Sequence, residues 1–179
     1  MTRSDPAMKS LRVDGLDRTM AVAGLLGTIL EAPLVIGLEG DIGAGKTTFV
    51  RGLVDALPGG ERARVSSPTW AVLQRYDTVP VVHHLDLYRL ADDDDLEGIA
   101  FRELLSEVVL LEWPERVERA ASVIDVRIRM STPDGPLSEL RNLAVAGRSE
   151  RGGLLVERWL ALIEELDAAP SSTGRCDQA

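Results

Sequence analysis

The sequence predicts one α/β domain in which helices cover both faces of a mainly parallel sheet, with antiparallel strands toward the C-terminus. Apolar runs typical of buried strands occur at residues 33–38, 79–88 and 108–112, and stretches with helical spacing lie between them. Residues 123–130 alternate apolar and polar side chains, and residues 141–147 can pair with them across an intervening turn. The first pattern indicates parallel strands joined by helices, and the second indicates an antiparallel pair.

The first predicted strand leads into a glycine-rich stretch that reads G-x-x-x-x-G-K-[ST] from Gly40 to Thr47 without a gap. Residues 47–57 then have helical spacing, which completes the strand, loop and helix of a P-loop. Glycines let the backbone wrap closely around a polyphosphate, and the new helix adds its positive N-terminal end. The sequence therefore predicts a P-loop NTPase-like three-layer sandwich. The predicted nucleotide-binding residues are Gly40, Asp41, Ile42, Gly43, Ala44, Gly45, Lys46, Thr47 and Thr48.

Two side chains of this loop carry specific chemistry. Lys46 is predicted to supply a compact charge to the β- and γ-phosphates, and the Thr47 hydroxyl to ligate Mg²⁺. The chain has only two lysines, Lys9 and Lys46, and otherwise uses arginine, whose planar fork would not substitute at this position.

The remaining predicted elements follow from local pattern. Apolar residues recur at helical spacing from Leu16 to Leu30, and the helix is expected to end near Pro33. Further helices are predicted at 96–106, 114–121 and 152–166, and an extended segment at 71–76. The run Asp92 to Asp95 resembles a solvated helix start rather than a Ca²⁺ loop, because the alternating ligands, the central glycine and the terminal glutamate are missing.

Two predicted strands end in acids. The strand that finishes at Asp86 has the form of a Walker-B element, whose carboxylate faces Mg²⁺ beside the P-loop. Glu112 follows four apolar residues, and burying it should be costly without a partner such as Mg²⁺. His83 and His84 are adjacent on one strand and so point to opposite faces, which excludes a joint metal site and favours structural or surface roles.

Composition limits the function classes. A formal net charge of −9 argues against a broad nucleic-acid footprint. The one cysteine, Cys176, excludes a disulfide framework and a cysteine-based metal site, and no segment predicts a membrane span or a signal peptide. We therefore expect a cytoplasmic protein with a flexible N-terminal tail at 1–10, a P-loop ATPase domain at 11–168 and a disordered C-terminal tail at 169–179.

Four motifs in order give the chain a more specific resemblance. They are the P-loop, Ser67-Pro-Thr-Trp70, His84-Leu-Asp-Leu-Tyr-Arg-Leu90 and Leu111-Glu-Trp-Pro-Glu115. With them, the chain resembles the bacterial TsaE (YjeE) family, the ATPase component of the machinery that makes threonylcarbamoyladenosine on tRNA. The resemblance implies ATP and Mg²⁺ as cofactors, weak intrinsic hydrolysis, the TsaB and TsaD proteins as partners, and contact with tRNA only through that complex.

By matching position, the resemblance also assigns roles. Lys46 and Thr47 would hold phosphates and Mg²⁺, Asp86 would be the Walker-B acid, and Glu112 would be associated with the metal. Thr69 belongs to the family's nucleotide-sensitive segment and joins Lys46, Asp86 and Glu112 as a candidate catalytic residue. Trp70 departs from the family pattern, which has phenylalanine after Ser-Pro-Thr.

Two other functions stay open at this point. A P-loop small-molecule kinase would need an arginine-rich lid, whereas Arg89 and Arg102 here flank four consecutive aspartates. A nucleotide-binding module without hydrolysis is also compatible with the sequence, because no residue that would orient the attacking water is identifiable.

Overall fold

A computed structural model describes residues 7–90, 94–135 and 138–169. The strands are β1 (Lys9–Asp14), β2 (Leu34–Glu39), β3 (Leu73–Tyr76), β4 (Val82–Asp86), β5 (Val108–Glu112), β6 (Val126–Ser131) and β7 (Leu140–Gly147). The α-helices are α1 (Gly15–Gly27), α2 (Lys46–Asp55), α3 (Asp94–Glu97), α4 (Phe101–Leu104), α5 (Glu118–Ser122) and α6 (Glu150–Ala168), and 3-10 turns cover Gly60–Arg62 and Pro114–Arg116.

The seven strands form one sheet in the order β1-β7-β6-β2-β5-β4-β3. The central strands β6, β2, β5 and β4 are parallel, and β7 runs antiparallel to β6. Antiparallel pairs also close both edges, with β1 on β7 and β3 on β4. The predicted fold class is confirmed, and the two edge strands extend it beyond the single antiparallel pair that the sequence suggested.

Helices cover both faces of this sheet. Leu34, Ile36 and Leu38 of β2 join a core with side chains of α1, α2 and α6, whereas Val35 joins a second core with those of α3, α4 and α5. The alternation follows from the two-residue side-chain period of a strand, which sends neighbouring residues to opposite faces. The result is the predicted three-layer sandwich. In the described ranges, no helix has both the length and the apolar character needed to cross a membrane.

Glycines bring α1 and α2 into backbone contact. A side chain at Gly27 would collide with the Leu53 carbonyl, and one at Gly52 would collide with the Met20 backbone. Helix α1 also contacts α6, because Trp159 of α6 donates its indole N–H to the Val22 carbonyl at 2.9 Å. The glycine contacts therefore hold α2, the helix that follows the P-loop, closely against α1.

The predicted N-terminal tail was too long. Strand β1 begins at Lys9, inside the segment 1–10 that was expected to be loose, and it pairs with β7 up to Asp14 opposite Leu140. The strand escaped prediction because it lies at the sheet edge and buries only Val13 fully, so its pattern is mostly polar. The predicted domain start at 11 moves accordingly, and residues 1–6 lie outside the described part of the chain. Helix α6 ends at Ala168, and the predicted tail beyond Ala169 also lies outside it.

Two predicted helices are broken in the structure. The stretch 96–106 divides because Ala100 adopts a left-handed conformation with φ 51°, and the break allows both Leu96 and Phe101 to be buried. The stretch 114–121 divides at Val117, whose extended backbone precedes α5. Burial of apolar side chains thus overrides helical continuity. The acidic run lies partly outside the described residues, and its Asp94 begins α3 as expected.

A buried carboxylate anchors α6 at the end of the sheet opposite the P-loop. Asp125 accepts hydrogen bonds from the Val35 amide at 3.0 Å, from the Ser149 hydroxyl at 2.6 Å and from the Arg151 guanidinium at 2.8 and 2.6 Å. Ser149 in turn caps α6 by accepting from the Gly152 amide. Asp125 therefore joins the start of α6 to the central strand β2.

We expect Asp125→Ala to lower the free energy of unfolding by about 3 kcal/mol, because it leaves the Val35 amide and the Arg151 guanidinium without their acceptor. Urea unfolding measures the change. Asp55→Ala, which removes an exposed carboxylate at the end of α2, is the control and should change stability by less than about 0.5 kcal/mol. Equal effects of the two substitutions would contradict the anchoring role.

Candidate functional site

The predicted phosphate-binding residues form one continuous loop between β2 and α2. Gly40 has φ 133° beside the Met130 carbonyl, which leaves no room for a side chain, and Gly45 has φ 105° directly before the first turn of α2. The Ala44 amide donates to the Asp41 carbonyl at 3.1 Å and closes the turn, while Ile42 lies exposed at its tip. This loop exposes a helix N-terminus in the manner of an anion site.

Lys46 lies across the mouth of this loop. Its Nζ donates to the carbonyls of Gly40 at 2.6 Å and Asp41 at 2.9 Å, and it lies 3.9 Å from the ring centroid of Trp113. The residue is only 5% exposed. Burial lowers the pKa of Lys46, while the charges of Glu112 and Asp86 oppose that shift. The ammonium is thus held in place by backbone carbonyls and an aromatic face.

Glu112, at the end of β5, receives two hydrogen bonds on one oxygen. The Thr47 hydroxyl donates to Oε1 at 2.8 Å, and His84 Nε2 lies 3.0 Å from the same atom. Glu112 is 3% exposed. Glu112 was predicted to need a partner such as Mg²⁺, and the structure supplies two polar side chains, those of Thr47 and His84, while the role of a metal stays a prediction.

Asp86, at the end of β4, is bound to the segment before β3. Its Oδ2 accepts from the Ser67 hydroxyl at 3.1 Å and from the Thr69 hydroxyl at 2.6 Å, and Oδ1 accepts from the Tyr88 amide at 3.0 Å. Asp86 is 3% exposed. We call residues 66–70 the switch segment. Thr69, a predicted catalytic residue, therefore contacts Asp86 directly.

The sheet register brings the two acids side by side. Asp86 is paired with Glu112 across β4 and β5, and Glu112 is paired with Leu38 of β2, directly before the P-loop. Paired residues point to the same face, so both carboxylates lie on the side covered by α2. The carboxyl ends of parallel strands form the usual ligand crevice of such sheets.

The side chains around this crevice suit a hard cation. Mg²⁺ prefers oxygen ligands and is usually held by one or two carboxylates together with phosphate oxygens and water. Thr47, Asp86 and Glu112 offer such oxygens. Among the residues that the structure describes, no group of three or more His, Cys, Asp or Glu side chains could hold a metal alone. The oxygens of Thr47, Asp86 and Glu112 are of the type that Mg²⁺ prefers when it is bound together with a phosphate ligand.

An open cleft of about 420 Å³ connects these groups. Its lining residues are Ile42, Gly43, Gly45, Lys46, Thr47, Thr48, Ser67, Thr69, Asp86, Tyr88, Glu112 and Trp113. Most of the predicted P-loop, both acids and Thr69 thus share one cleft, whereas Gly40, Asp41 and Ala44 do not line it.

The sequence did not predict the contacts of His84 and Tyr76 next to Glu112. The sequence favoured a structural or surface role for His84 and placed Tyr76 in an extended segment, but it did not predict that the two side chains lie together beside Glu112. Their rings stack with centroids 6.2 Å apart, and the Tyr76 hydroxyl lies 3.3 Å from His84 Nδ1. Burial and the nearby Glu112 charge raise the pKa of Tyr76 to about 12. The available signal was the position of His84 two residues before Asp86, which places both side chains on one face of β4.

Comparisons with known proteins identify the family of this chain. The sequence matches the family model of the threonylcarbamoyl adenosine biosynthesis protein TsaE over residues 13–138. The chain is 30% identical to the tRNA threonylcarbamoyladenosine biosynthesis protein TsaE of Haemophilus influenzae over 138 residues, which cover 75% of this chain and 84% of that protein. It is 32% identical to the protein of the same name from Bacillus subtilis over 135 residues, with coverage of 75% and 84%.

A solved structure shares the fold. The crystal structure of Bacillus subtilis YdiB superimposes with a TM-score of 0.65 at 24% identity, and the match covers 87% of this chain and 97% of YdiB. The matched region of the family model, residues 13–138, contains the P-loop, the switch segment and both acidic strand ends. The chain therefore belongs to the TsaE family of threonylcarbamoyl adenosine biosynthesis proteins.

Proposed function

We propose that this protein binds ATP and hydrolyses it weakly, and that its nucleotide cycle drives partner proteins in the N6-threonylcarbamoyladenosine modification of tRNA at position 37. The observation that carries the proposal is the convergence of Lys46, Thr47, Asp86 and Glu112 in one cleft at the start of α2. The relatives named above are tRNA threonylcarbamoyladenosine biosynthesis proteins, which supports the pathway, and the residues of the cleft support the binding and hydrolysis of ATP.

In this proposal the backbone of the P-loop binds the phosphates, as its helix N-terminus favours. Lys46 exchanges its two carbonyl acceptors for the β- and γ-phosphates and keeps its place over Trp113. Bound Mg²⁺ supplies positive charge that stabilises the negative charge developing on the transferred phosphoryl group. Thr47 and Glu112 would hold the Mg²⁺ directly, and Asp86 would hold it through water.

The hydrogen bonds support this division between the acids. Both bonds to Glu112 fall on Oε1, so Oε2 accepts none from the residues that the structure describes. Asp86 uses both oxygens, with two hydroxyl donors and one amide. Glu112 therefore has an oxygen available for a metal, whereas Asp86 is better suited to orient water and the switch segment.

The rim of the cleft supports a role for partner proteins. Ile42 and Trp70 are large apolar side chains exposed beside it, and Trp70 is 85% exposed. The guanidinium of Arg89 lies 3.9 Å from the Trp70 ring centroid, so this arginine faces the rim. Exposed aromatic and arginine side chains are typical interface anchors. We propose TsaB and TsaD as the partners, in the cytoplasm, where tRNA is modified. We also propose that tRNA is contacted only through this complex, because a chain with a net charge of −9 is poorly suited to bind nucleic acid directly.

The first expected result concerns nucleotide binding. Lys46→Ala should lower MgATP affinity by about 10–100-fold, because a charge-assisted contact to phosphate is lost. Calorimetry on the folded variant measures the affinity. Lys9→Ala removes the other lysine, on β1, and should leave affinity unchanged. Full ATP affinity in a folded Lys46→Ala protein would rule out the P-loop assignment.

A second expected result concerns the metal. Glu112→Ala should weaken ATP binding by about 10–100-fold when Mg²⁺ is present and abolish hydrolysis, since a metal contact is lost. Affinity measured in EDTA should hold or improve, because a negative charge leaves the phosphate site. Glu103→Ala, which removes an exposed acid of α4, is the matched control. Equal losses with and without Mg²⁺ would assign Glu112 to packing rather than to the metal.

A third expected result concerns the partners. The isolated protein should hydrolyse ATP slowly, and TsaB with TsaD should accelerate it, by up to about 10³-fold if a partner supplies a missing catalytic group.

Trp70→Ala should weaken partner binding by about 10-fold or more without changing ATP affinity, because the ring is exposed and does not line the cleft. Leu154→Ala removes an exposed apolar side chain of α6 as a control. Rapid turnover that is indifferent to partners would contradict the coupling, and phosphate transfer to a small molecule would favour the kinase alternative.

A further inference from the structure

A fully buried histidine stands behind the two acids without a role in the proposed reaction. His84 of β4 is 0% exposed, and its two ring nitrogens face different side chains. Nε2 lies 3.0 Å from Glu112 Oε1, and Nδ1 lies 3.3 Å from the Tyr76 hydroxyl. A buried polar ring is retained only when its hydrogen-bonding groups find partners, and both nitrogens have one here.

The chemistry of these partners fixes the direction of one bond. An ionised carboxylate can only accept hydrogen bonds, so Nε2 carries the proton in its contact with Glu112. The Thr47 hydroxyl donates to the same oxygen at 2.8 Å. With two donors, the two lone pairs of Oε1 are used, and the carboxylate is held from two sides.

This arrangement also determines which way the Thr47 hydroxyl faces. A hydroxyl has one proton and two lone pairs. Because its proton is directed to Glu112, both lone pairs remain for another ligand, and Thr47 lines the cleft. If Glu112 rotated away, the hydroxyl would lose the acceptor that orients it. The orientation of Thr47 thus depends on the orientation of Glu112.

The histidine is itself held by the edge strand β3. Tyr76 stacks on its ring, and the Tyr76 hydroxyl lies 3.3 Å from His84 Nδ1 and 3.0 Å from Gln74 Oε1, either of which can accept its one proton. Gln74 donates to the Arg64 carbonyl at 3.2 Å, shortly before the switch segment. A series of polar contacts therefore links Thr47, Glu112, His84, Tyr76 and Gln74.

We propose that His84 is a positioning residue for the magnesium site: it fixes Glu112 so that Oε1 orients the Thr47 hydroxyl and Oε2 alone remains for the cation. This inference rests on the proposed function, because it concerns the same Mg²⁺ and ATP. Partners that orient a metal-binding carboxylate commonly contribute about 10–100-fold to metal affinity or activity. Tyr76 acts one step further back, through the imidazole.

The test compares His84→Met with His83→Met. His83 is the neighbouring residue on β4, points to the opposite face and contributes no hydrogen bond to Glu112, so it receives the same chemical change outside the site. His84→Met should raise the Mg²⁺ concentration needed for half-maximal ATP binding by about 10–100-fold, with ATP affinity in EDTA within about twofold of the wild type. His83→Met should change neither quantity.

A second substitution of His84 distinguishes a positioning role of this residue from a packing role. His84→Gln places an amide donor as many bonds from the backbone as Nε2, so it should restore most of the Mg²⁺ response, which methionine cannot do. An unchanged Mg²⁺ requirement in His84→Met, an equal loss of affinity in EDTA, or a His84→Gln protein no better than His84→Met would each overturn the inference. If His84→Met does not fold, Tyr76→Phe replaces it, because it removes only the hydroxyl; a Mg²⁺ requirement equal to that of the wild type would then overturn the inference.

The wild-type protein distinguishes this inference from the proposed function. Wild-type protein that binds no ATP, or binds it equally with and without Mg²⁺, would contradict the proposed function itself. Mg²⁺-dependent binding in the wild type and in His84→Met alike would contradict only the role of His84.

Discussion

The hydrogen bond from Thr47 to Glu112 ties the two halves of the cleft together. It joins the first turn of α2 to the end of β5, and therefore the P-loop to the sheet. A buried carboxylate has a large desolvation cost and must collect donors. Because Thr47 and His84 are those donors, the buried Glu112 links the first turn of α2 to the central strand β4.

The two acids act on different parts of the molecule. Glu112 contacts groups on α2 and β4, which are packed into the core, whereas Asp86 contacts the hydroxyls of Ser67 and Thr69 in a loop. A ligand that recruits Asp86 therefore competes with the contacts that hold the switch segment. Loops bound by a few polar contacts are the parts of a protein that rearrange at low cost.

Local pattern was sufficient for the fold class, the P-loop and the acidic strand ends, because buried strands and glycine loops have strong sequence signals. It failed where tertiary contacts decide the outcome. Strand β1 exists because β7 offers an open edge, and Ala100 breaks a helix because Leu96 and Phe101 both need the core. The contact between His84 and Glu112 depends on the order of strands in the sheet, which the spacing of residues along one chain does not contain.

The glycine contact between α1 and α2 shapes the ligand site from behind. Because Gly52 touches the Met20 backbone and Gly27 touches the Leu53 carbonyl, α2 has no room to slide or tilt toward α1. The N-terminal turn of α2 is the same helix turn that carries Lys46 and Thr47. A methyl group added on the buried side of α2 would push that turn outward with the whole helix. If the loop binds phosphate as proposed, its geometry depends on a helix pair outside the cleft, and substitutions in that pair would lower nucleotide affinity without removing a residue of the cleft.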